Sequence, residues 1–354
     1  MTAFWAGPDF DEHELVELVH DRASGLTAVI ALHSTHLGPG GGGTRFWHYA
    51  DPEMAVVDAL RLSRGMSYKN AMAGLPLGGG KGVILAGPDK RKTPELLAAY
   101  GDAVDALGGR YVTTEDVGMT EADMVAIAGR TRHVTGLPVA GGAAGGNPGP
   151  VTAMGVFLGI KAAVKHKLGK ESVAGVHVAV QGVGSVGGGT ARLLAAEGAR
   201  LTLADLDSAR AAALAAELGA ATAEAGAIMD TDCDVFSPNG LGAILDDAGI
   251  ARLKAPIVAG GANNQLARPG HGPMLAGRGI LYAPDYVINA GGIISVGMEH
   301  VARESGTACT AAEVQAKVAE IPGRLLSIWA EADARGLSSD QVADERAQKL
   351  IGRA

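Results

Sequence analysis

The order of apolar and polar positions along the chain predicts alternating strands and helices. Runs of branched apolar residues predict strands over residues 26–33, 82–85 and 110–114. Apolar residues at helical spacing predict helices over residues 11–20, from Asp51-Pro52 onwards and over residues 94–107. Glycines interrupt this pattern, so residues 38–43 predict an irregular loop and residues 78–80 a turn. The alternation is typical of an α/β domain.

A second α/β pattern begins after a break rich in glycine and proline. Residues 136–150 form this break, which we interpret as a hinge between two domains. A helix is predicted over residues 151–166 and a strand over residues 176–180. The C-terminal region, about residues 311–351, is predicted to be helical, with a core-facing side formed by Val314, Val318, Ile321, Leu325 and Ile328.

The strand at 176–180 is followed directly by the glycine spacing that binds a dinucleotide, Gly182-Val183-Gly184-Ser185-Val186-Gly187. These glycines permit a tight turn, a close approach of pyrophosphate and close packing of the next helix, whose N–H groups face the phosphates. The next strand ends at Asp205, which can accept a hydrogen bond from a ribose hydroxyl and repel a 2′-phosphate, so NAD is favoured over NADP. A glycine-rich turn without a ligand remains the alternative.

Three later segments complete the predicted dinucleotide domain. Strands that end in turns are predicted over residues 233–240, 257–264 and 282–292. Side-chain amides stand near these ends, at Asn239, Asn263, Asn264 and Asn289. Such amides can bond to a nicotinamide carboxamide or a substrate amine, and they are equally typical of turns.

Composition limits the class of protein. The 354 residues, 47% of them hydrophobic, are enough for two domains with separate cores. The net charge of −8, from 30 basic and 38 acidic side chains, does not favour a surface for nucleic acid. Cys233 and Cys309 cannot form a disulfide framework or a usual zinc site, so we expect no metal and a reducing compartment. Neither a signal sequence nor a membrane span is visible, so we expect a cytoplasmic protein without membrane contact.

Lys69 and Lys81 lie in a stretch that otherwise carries no charge. An ammonium group in apolar surroundings must reach water or be held near an anion. Two such lysines indicate an anion-binding pocket, in which burial and the neighbouring charge lower the pKa of one of them. A lysine with a lowered pKa can act as a general base. Two ordinary surface lysines are the alternative that this segment leaves open.

Six motifs together resemble the Glu/Leu/Phe/Val amino-acid dehydrogenase superfamily, and within it the leucine, phenylalanine and valine dehydrogenases. They are Gly-Gly-Thr-Arg at 42–45, Met-Ser-Tyr-Lys-Asn at 66–70, Gly-Gly-Gly-Lys at 78–81, Thr-Glu-Asp-Val-Gly at 114–118, Pro-Val-Thr-Ala at 150–153 and Ala-Asn-Asn-Gln at 262–265. Two departures are Gly80, where many relatives have alanine, and Pro238-Asn239-Gly240, where the subgroup has Pro-Cys-Ala. Neither departure removes a chemical group that the reaction needs.

The resemblance implies reversible, NAD-dependent oxidative deamination of a hydrophobic L-amino acid to the 2-oxo acid and ammonia. Lys69 would bind the substrate carboxylate, and Lys81 would be the general acid and base that activates water. Asp116 would move a proton to and from the amino group. A charged Lys69 would help to keep Lys81 neutral. The implied cofactor is NAD, and the chain is expected to form a homo-oligomer.

The resemblance also implies the residues that line the cofactor and the substrate. The cofactor residues would be Arg45, Thr152, Gly182, Val183, Gly184, Ser185, Val186, Gly187, Asp205, Leu206, Asn239, Gly240, Ala262, Asn263 and Asn264; one of the last two would also touch the substrate. Gly41 stands where leucine dehydrogenases carry leucine, which predicts a wider pocket for bulky side chains. Ile293 and Val296 on the opposite wall favour aliphatic ones. No basic residue is evident for a second carboxylate, which argues against glutamate.

The expected fold is therefore α/β with two domains, an N-terminal substrate domain and a Rossmann-type NAD-binding domain, separated by a cleft. We predict the substrate and oligomerisation domain at residues 1–138, completed by C-terminal helices at about 325–354, and the NAD-binding domain at 139–324. Two alternatives stay open: a non-catalytic NAD-binding protein of the same fold, and a different Rossmann dehydrogenase. The presence of Lys69, Lys81 and Asp116 together argues against the first, since NAD binding alone needs none of them.

Overall fold

The computed structural model describes residues 4–138, 146–240 and 242–353. The strands are β1 (Leu15–Asp21), β2 (Leu26–Ser34), β3 (Gly40–Trp47), β4 (Gly78–Leu85), β5 (Tyr111–Glu115), β6 (His177–Gln181), β7 (Arg200–Ala204), β8 (Ala221–Thr222), β9 (Val235–Pro238), β10 (Ile257–Val258) and β11 (Leu281–Tyr282). The helices are α1 (Glu53–Met72), α2 (Pro94–Ala106), α3 (Glu121–Ala128), α4 (Gly149–Leu168), α5 (Ser185–Ala196), α6 (Ser208–Leu218), α7 (Asp247–Arg252), α8 (His271–Gly277), α9 (Asp285–Ile288), α10 (Gly291–Glu304), α11 (Ala311–Val318), α12 (Ile321–Arg335) and α13 (Ser339–Leu350). Within these ranges, none of the helices has both the length and the apolar character needed to span a membrane.

The chain divides into two compact units. The first comprises the described parts of Met1–Pro148, Ile293–Val314 and Ala347–Ala354, and the second comprises those of Gly149–Gly292 and Gln315–Arg346. The division differs from the predicted boundaries in two regions: most of α10 belongs to the first unit, and α12 together with most of α13 belongs to the second. The predicted hinge, residues 136–150, lies partly outside the described residues.

Hydrogen bonds explain both differences. In α10, Glu299 accepts the backbone N–H of Gly136 at 3.0 Å, and Arg303 donates to the carbonyl of Val134 at 2.6 Å. These bonds join the helix to the segment that follows β5 and α3. In α12, the buried indole of Trp329 donates to the carbonyl of Tyr282 at 2.9 Å, which joins this helix to β11. Neither partner is close in sequence, so helical spacing alone could not assign these helices to a unit.

The first unit is built on a five-stranded sheet of order β1-β2-β4-β3-β5. The strands β1, β2 and β4 pair antiparallel, whereas β3 runs parallel to both β4 and β5. Helices α2 and α3 cover one face, where apolar side chains of the sheet and of both helices form a core that includes Ile30, Leu32, Ile84, Tyr100, Met124 and Ile127. The predicted helix at 94–107 is confirmed, and it begins where Thr93 accepts the N–H of Leu96.

Three predictions for this unit are wrong. Residues 11–20 include most of strand β1 rather than a helix, because this segment pairs with β2 over Leu15–Asp21. The glycine run at 38–43 is mostly strand β3, and residues 78–80 begin strand β4. A Cβ at Gly42 would lie 1.9 Å from the carbonyl oxygen of Gly80, and one at Gly79 would lie 2.1 Å from Oγ of Ser67. These glycines therefore allow β3, β4 and α1 to pack closely, and they do not form turns.

The second unit contains a six-stranded sheet of order β11-β10-β9-β6-β7-β8, and each of these neighbouring pairs is parallel. This arrangement confirms the predicted Rossmann-type sheet, with α5 following β6 at the glycine fingerprint. The segment 282–292 is a wrong strand prediction, because only Leu281–Tyr282 is extended and α9 and α10 follow. The helical C-terminal region is confirmed, and its five predicted apolar side chains are buried.

Candidate active site

Lys81 lies in strand β4 of the first unit, and its ammonium group is bonded to Asp116. The lysine is 4% exposed. Its Nζ atom lies 2.7 Å from Oδ2 of Asp116, the residue that directly follows β5. Because strand β3 separates β4 from β5 in the sheet, the two side chains meet across it. A buried ammonium group requires such a partner, since burial without one is costly.

Arg45 on strand β3 holds the same carboxylate oxygen from the other side. Its Nε atom lies 3.1 Å from Oδ2 of Asp116, and its Nη1 atom lies 2.9 Å from Oδ2 of Asp58. The hydroxyl of Tyr49 donates to that Asp58 oxygen at 2.7 Å. Four charges of alternating sign therefore follow one another: Lys81, Asp116, Arg45 and Asp58.

Sequence reasoning did not find Asp58 and Tyr49 as part of this group, and it placed Arg45 against the cofactor. The signal that could have found Asp58 is an acidic residue between the apolar Val57 and Ala59 in α1. The described contacts of Arg45 are with the two carboxylates, and its contact with a cofactor stays a prediction.

The surroundings shift the pKa values of Lys81 and Asp116. Burial lowers the pKa of Lys81 below its ordinary value, with Asp116 opposing the shift and Arg45 adding to it. Burial alone would raise the pKa of Asp116, but Lys81 and Arg45 together hold it at about 2. The cation that helps to lower the pKa of Lys81 is thus Arg45, whereas the sequence had suggested Lys69. A carboxyl group with so low a pKa is a stable negative charge, so its proton-shuttle role stays a prediction.

Lys69 lies in the last turn of α1 and is half-buried. The next residue fixes this end of the helix, because Nδ2 of Asn70 donates to the carbonyl oxygens of Gly78 at 2.6 Å and of Gly41 at 3.2 Å. The helix end is therefore attached to both glycine-rich strands. The binding of a substrate carboxylate by Lys69 stays a prediction.

A small cavity of about 10 Å³ in the first unit brings three predicted substrate residues together. Its walls include Gly41, Leu77, Thr114, Ile293, Val296 and His300. A Cβ at Gly41 would lie 3.2 Å from Cδ1 of Leu77, so the side chain of Leu77 fills the room that a glycine leaves at this position. The wider pocket predicted from Gly41 stays a prediction.

Sequence reasoning missed the remaining wall residues, although two periodicities point to four of them. Val112 and Thr114 alternate on β5, so both face the cavity. On α10, Gly297 and His300 follow Ile293 by four and seven residues, which places them on one face of the helix. Helical spacing counted from Ile293 would have identified both.

The glycine fingerprint of the second unit fits a dinucleotide. Gly182 has a φ of +81°, and a Cβ at Gly187 would lie 1.9 Å from the carbonyl oxygen of Gly182, so both glycines serve the turn itself. Gly184 differs, because a Cβ there would meet no atom within 4 Å. Helix α5 begins at Ser185 without a side-chain cap, and Val186 lies in its first turn. The open space at Gly184 and the uncapped N–H groups suit a pyrophosphate.

Asp205 follows β7 and joins that strand to the fingerprint. Its Oδ2 atom accepts the N–H of Val183 at 2.8 Å, and its Oδ1 atom accepts the N–H of Asp207 at 2.9 Å. Each carboxylate oxygen can accept a further bond, so a ribose hydroxyl can also be bound. The neighbouring Leu206 is 87% exposed, which offers an apolar surface for an adenine ring. The acid and the glycines thus lie together, as the sequence predicts.

The predicted amides have bonds of their own. Asn239 ties the ends of β9 and β10 together, because its Oδ1 atom accepts the N–H of Gly261 at 2.8 Å and its Nδ2 atom donates to Ser237. Asn263 accepts a bond from Asn289 at 2.8 Å. The other predicted positions are the exposed Gly240 and Asn264, the buried Ala262, and Thr152 in the first turn of α4. Their contacts with a cofactor stay predictions.

Comparison with known proteins identifies the family. Residues 13–133 match the Glu/Leu/Phe/Val dehydrogenase dimerisation domain, and residues 202–343 match the Glutamate/Leucine/Phenylalanine/Valine dehydrogenase model. The chain belongs to the Glu/Leu/Phe/Val dehydrogenase family. The resemblance carried by the six motifs is thus confirmed.

Similar members of this dehydrogenase family match nearly the whole chain. A leucine dehydrogenase of Thermoactinomyces intermedius is 46% identical over 96% of this chain and 91% of its own length. A valine dehydrogenase of Streptomyces albus is 46% identical over 97% and 93%. The crystal structure of L-tryptophan dehydrogenase from Nostoc punctiforme superimposes with a TM-score of 0.81, at 41% identity over 96% of each chain. This family member is therefore an NAD(P)-dependent amino-acid dehydrogenase.

Proposed function

We propose that this dehydrogenase catalyses the reversible, NAD-dependent oxidative deamination of a branched aliphatic L-amino acid of the leucine or valine type. The observation that carries the proposal is the bonded pair of Lys81 and Asp116 close to an apolar cavity. The two features are neighbours in the first unit, because Gly42 lines the cavity and a Cβ on the next residue, Gly43, would lie 2.8 Å from Cβ of Asp116.

Lys69 holds the substrate by its carboxylate. A charged ammonium group and a carboxylate form a strong, charge-assisted hydrogen bond, which also orients the α-carbon. The apolar side chain of the amino acid then faces the walls formed by Leu77, Ile293 and Val296. The walls include no second basic group for a side-chain carboxylate among the described residues, which disfavours glutamate.

Lys81 acts as the base, and Asp116 supplies negative charge. The lowered pKa of Lys81 increases the neutral fraction that can take a proton from water. NAD, when bound, would supply the acceptor for the hydride that leaves the α-carbon. Positive charge then develops on the substrate nitrogen, and an ionised Asp116 stabilises it. Water activated by Lys81 adds to the iminium carbon, and ammonia leaves as the 2-oxo acid forms.

The chemical character of the walls supports an aliphatic substrate. Leu77 occupies the room beside Gly41, and the branched side chains of Ile293 and Val296 narrow the remaining space. Apolar, branched walls of this kind suit the aliphatic side chain of a leucine or valine substrate. The similar leucine and valine dehydrogenases support the same choice.

The choice of cofactor, the oligomeric state and the cellular location are inferred from other features. Asp205 would repel the 2′-phosphate of NADP, which favours NAD. We also infer a homo-oligomer, since residues 13–133 match a dimerisation domain, and a cytoplasmic location. Both inferences rest on the family and on the sequence.

A steady-state panel tests the proposed function. Values of kcat/KM are measured for leucine, valine, phenylalanine, tryptophan and glutamate, each with NAD and with NADP. We expect leucine or valine with NAD to give the highest value. A preference for glutamate or for NADP, or an absence of turnover with all five amino acids, contradicts the proposal.

A further inference from the structure

Two spaces of very different size meet at His300. The first is the substrate cavity described above. The second is an open groove of about 580 Å³ in the same unit, lined by residues that include Gly109, His133, Val301 and Glu304. Among the described residues, His300 alone lines both spaces. This residue therefore stands where the small cavity and the large groove adjoin.

Packing rather than hydrogen bonding holds the His300 ring. The residue is 7% exposed, and its Nδ1 atom is buried without a hydrogen-bond partner among the described residues. Burial and Arg303 lower the pKa of the imidazole below its ordinary value, so the ring is neutral near pH 7. A neutral ring is compatible with the apolar side chain of a substrate. Nδ1 makes no hydrogen bond to any described residue, so a shorter side chain at position 300 breaks no hydrogen-bond network at this atom.

The helix that carries His300 is anchored by other residues. Glu299 and Arg303, on either side of it in α10, bond to the backbone of Gly136 and Val134 respectively. Ile293 and Val296 face the cavity from earlier turns of the same helix. A shorter side chain at position 300 is therefore expected to change the cavity and leave the helix in place.

We propose that His300 is a specificity-determining residue, and that its imidazole separates the cavity from the groove and so limits the size of the substrate side chain that the site admits. Removal of the ring joins the cavity to the groove and provides room for a phenyl or indole group. This inference rests on the proposed function, because it assumes that the cavity receives the side chain of the amino acid.

The test compares His300→Ala with the wild-type enzyme. Values of kcat/KM are measured for leucine, valine, phenylalanine and tryptophan with saturating NAD. We expect the phenylalanine-to-leucine ratio to rise by about ten-fold or more, the range in which a changed apolar pocket alters selectivity. The increase should appear mainly as a lower KM for the aromatic substrates.

His133→Ala is the matched control, because His133 lines the groove and not the cavity. The phenylalanine-to-leucine ratio of kcat/KM in His133→Ala is expected to stay within about two-fold of the wild-type value, since the wall of the cavity is intact in this variant. If His300→Ala does not fold, His300→Asn provides the second test, and the ratio should rise in the same direction by a smaller factor.

Several outcomes overturn the inference. One is an unchanged ratio in a folded His300 variant. Another is an equal loss for all four substrates, which indicates a structural role only. A third is an equal rise in His133→Ala. These outcomes differ from a failure of the proposed function, in which the wild-type enzyme itself turns over none of the amino acids.

Discussion

The Nζ atom of Lys81 lies 2.7 Å from Oδ2 of Asp116, and the lysine of this pair is buried whereas the aspartate side chain is 24% exposed. Neither group acts alone, because each shifts the pKa of the other. Arg45 and Asp58 extend the pair into a row of alternating charges. The protonation state of Lys81 in the free enzyme therefore depends in part on Arg45 and Asp58, which need not contact a substrate.

Asp58→Asn should move the acid limb of kcat/KM for deamination to lower pH. Activity rises with pH as Lys81 loses its proton, and the negative charge of Asp58 raises the pKa of Lys81. Removal of the Asp58 charge lowers the pKa of Lys81, so the acid limb of the profile moves to lower pH. The measurement is the pH profile of kcat/KM with leucine, in which the titration of the substrate amine is common to all variants.

Tyr49→Phe is the control for Asp58→Asn. It removes one hydrogen bond to Asp58 and keeps the carboxylate charge. The acid limb should then stay at its wild-type position. Equal shifts in the two variants would mean that packing, and not charge, sets the pKa of Lys81.

Gly184→Ala should weaken NAD binding without loss of stability. A Cβ at this position meets no protein atom within 4 Å, but it enters the space assigned to the pyrophosphate. We expect an unchanged Tm and at least a ten-fold weaker Kd for NAD, about 1.4 kcal/mol. Calorimetric titration with NAD measures the Kd. An unchanged Kd would contradict the assignment of the space at Gly184 to the pyrophosphate.

Gly187→Ala provides the comparison for the fingerprint. Its Cβ would lie 1.9 Å from the carbonyl oxygen of Gly182, so the turn must shift. We expect this variant to have both a lower Tm and a weaker affinity for NAD. The contrast separates the glycine that makes room for a ligand from the glycine that makes room for the chain.

Gly79→Ala should destabilise the first unit strongly. The added Cβ would lie 2.1 Å from Oγ of Ser67 and 2.3 Å from the carbonyl oxygen of Ser63, so β4 and α1 must separate. Overpacking of this kind costs about 1–3 kcal/mol or more. Gly65→Ala in α1 is the control, since its Cβ meets nothing within 4 Å and alanine favours a helix by about 1 kcal/mol. Thermal unfolding measures both, and a stable Gly79→Ala would disprove the close packing.

Local patterns predicted the arrangement of the strand, the glycine fingerprint, the helix and the acid well. The strand, the fingerprint from Gly182 to Gly187, the helix and Asp205 occur in consecutive segments, and the structure holds them together. The apolar spacing of the C-terminal helices was equally informative, because burial on one helix face is itself a local pattern. The family resemblance added Gly41, Ile293 and Val296, which the structure places around one cavity.

Contacts between distant segments could not be predicted in the same way. The bond between Arg45 and Asp116 depends on β3 and β5 being neighbours in the sheet, and no periodicity reveals that order. The glycine runs at 38–43 and 78–80 predict a loop and a turn from sequence, whereas most of these glycines lie in β3 and β4 and let other segments approach closely. Leu77 was missed for the same reason: it fills a space left by Gly41, which is 36 positions earlier in the chain (77 − 41).

The most direct test of the central claim is the kcat of Lys81→Ala with saturating leucine and NAD. Loss of a general base reduces kcat by about 10²–10⁴-fold. We expect a decrease of that size with the Kd for NAD nearly unchanged, because Lys81 and the glycine fingerprint lie in different units. Lys165→Ala, at a solvent-exposed ion pair of the second unit, should keep the wild-type kcat. A kcat for Lys81→Ala within about ten-fold of the wild-type value would contradict the assignment of Lys81 as the base.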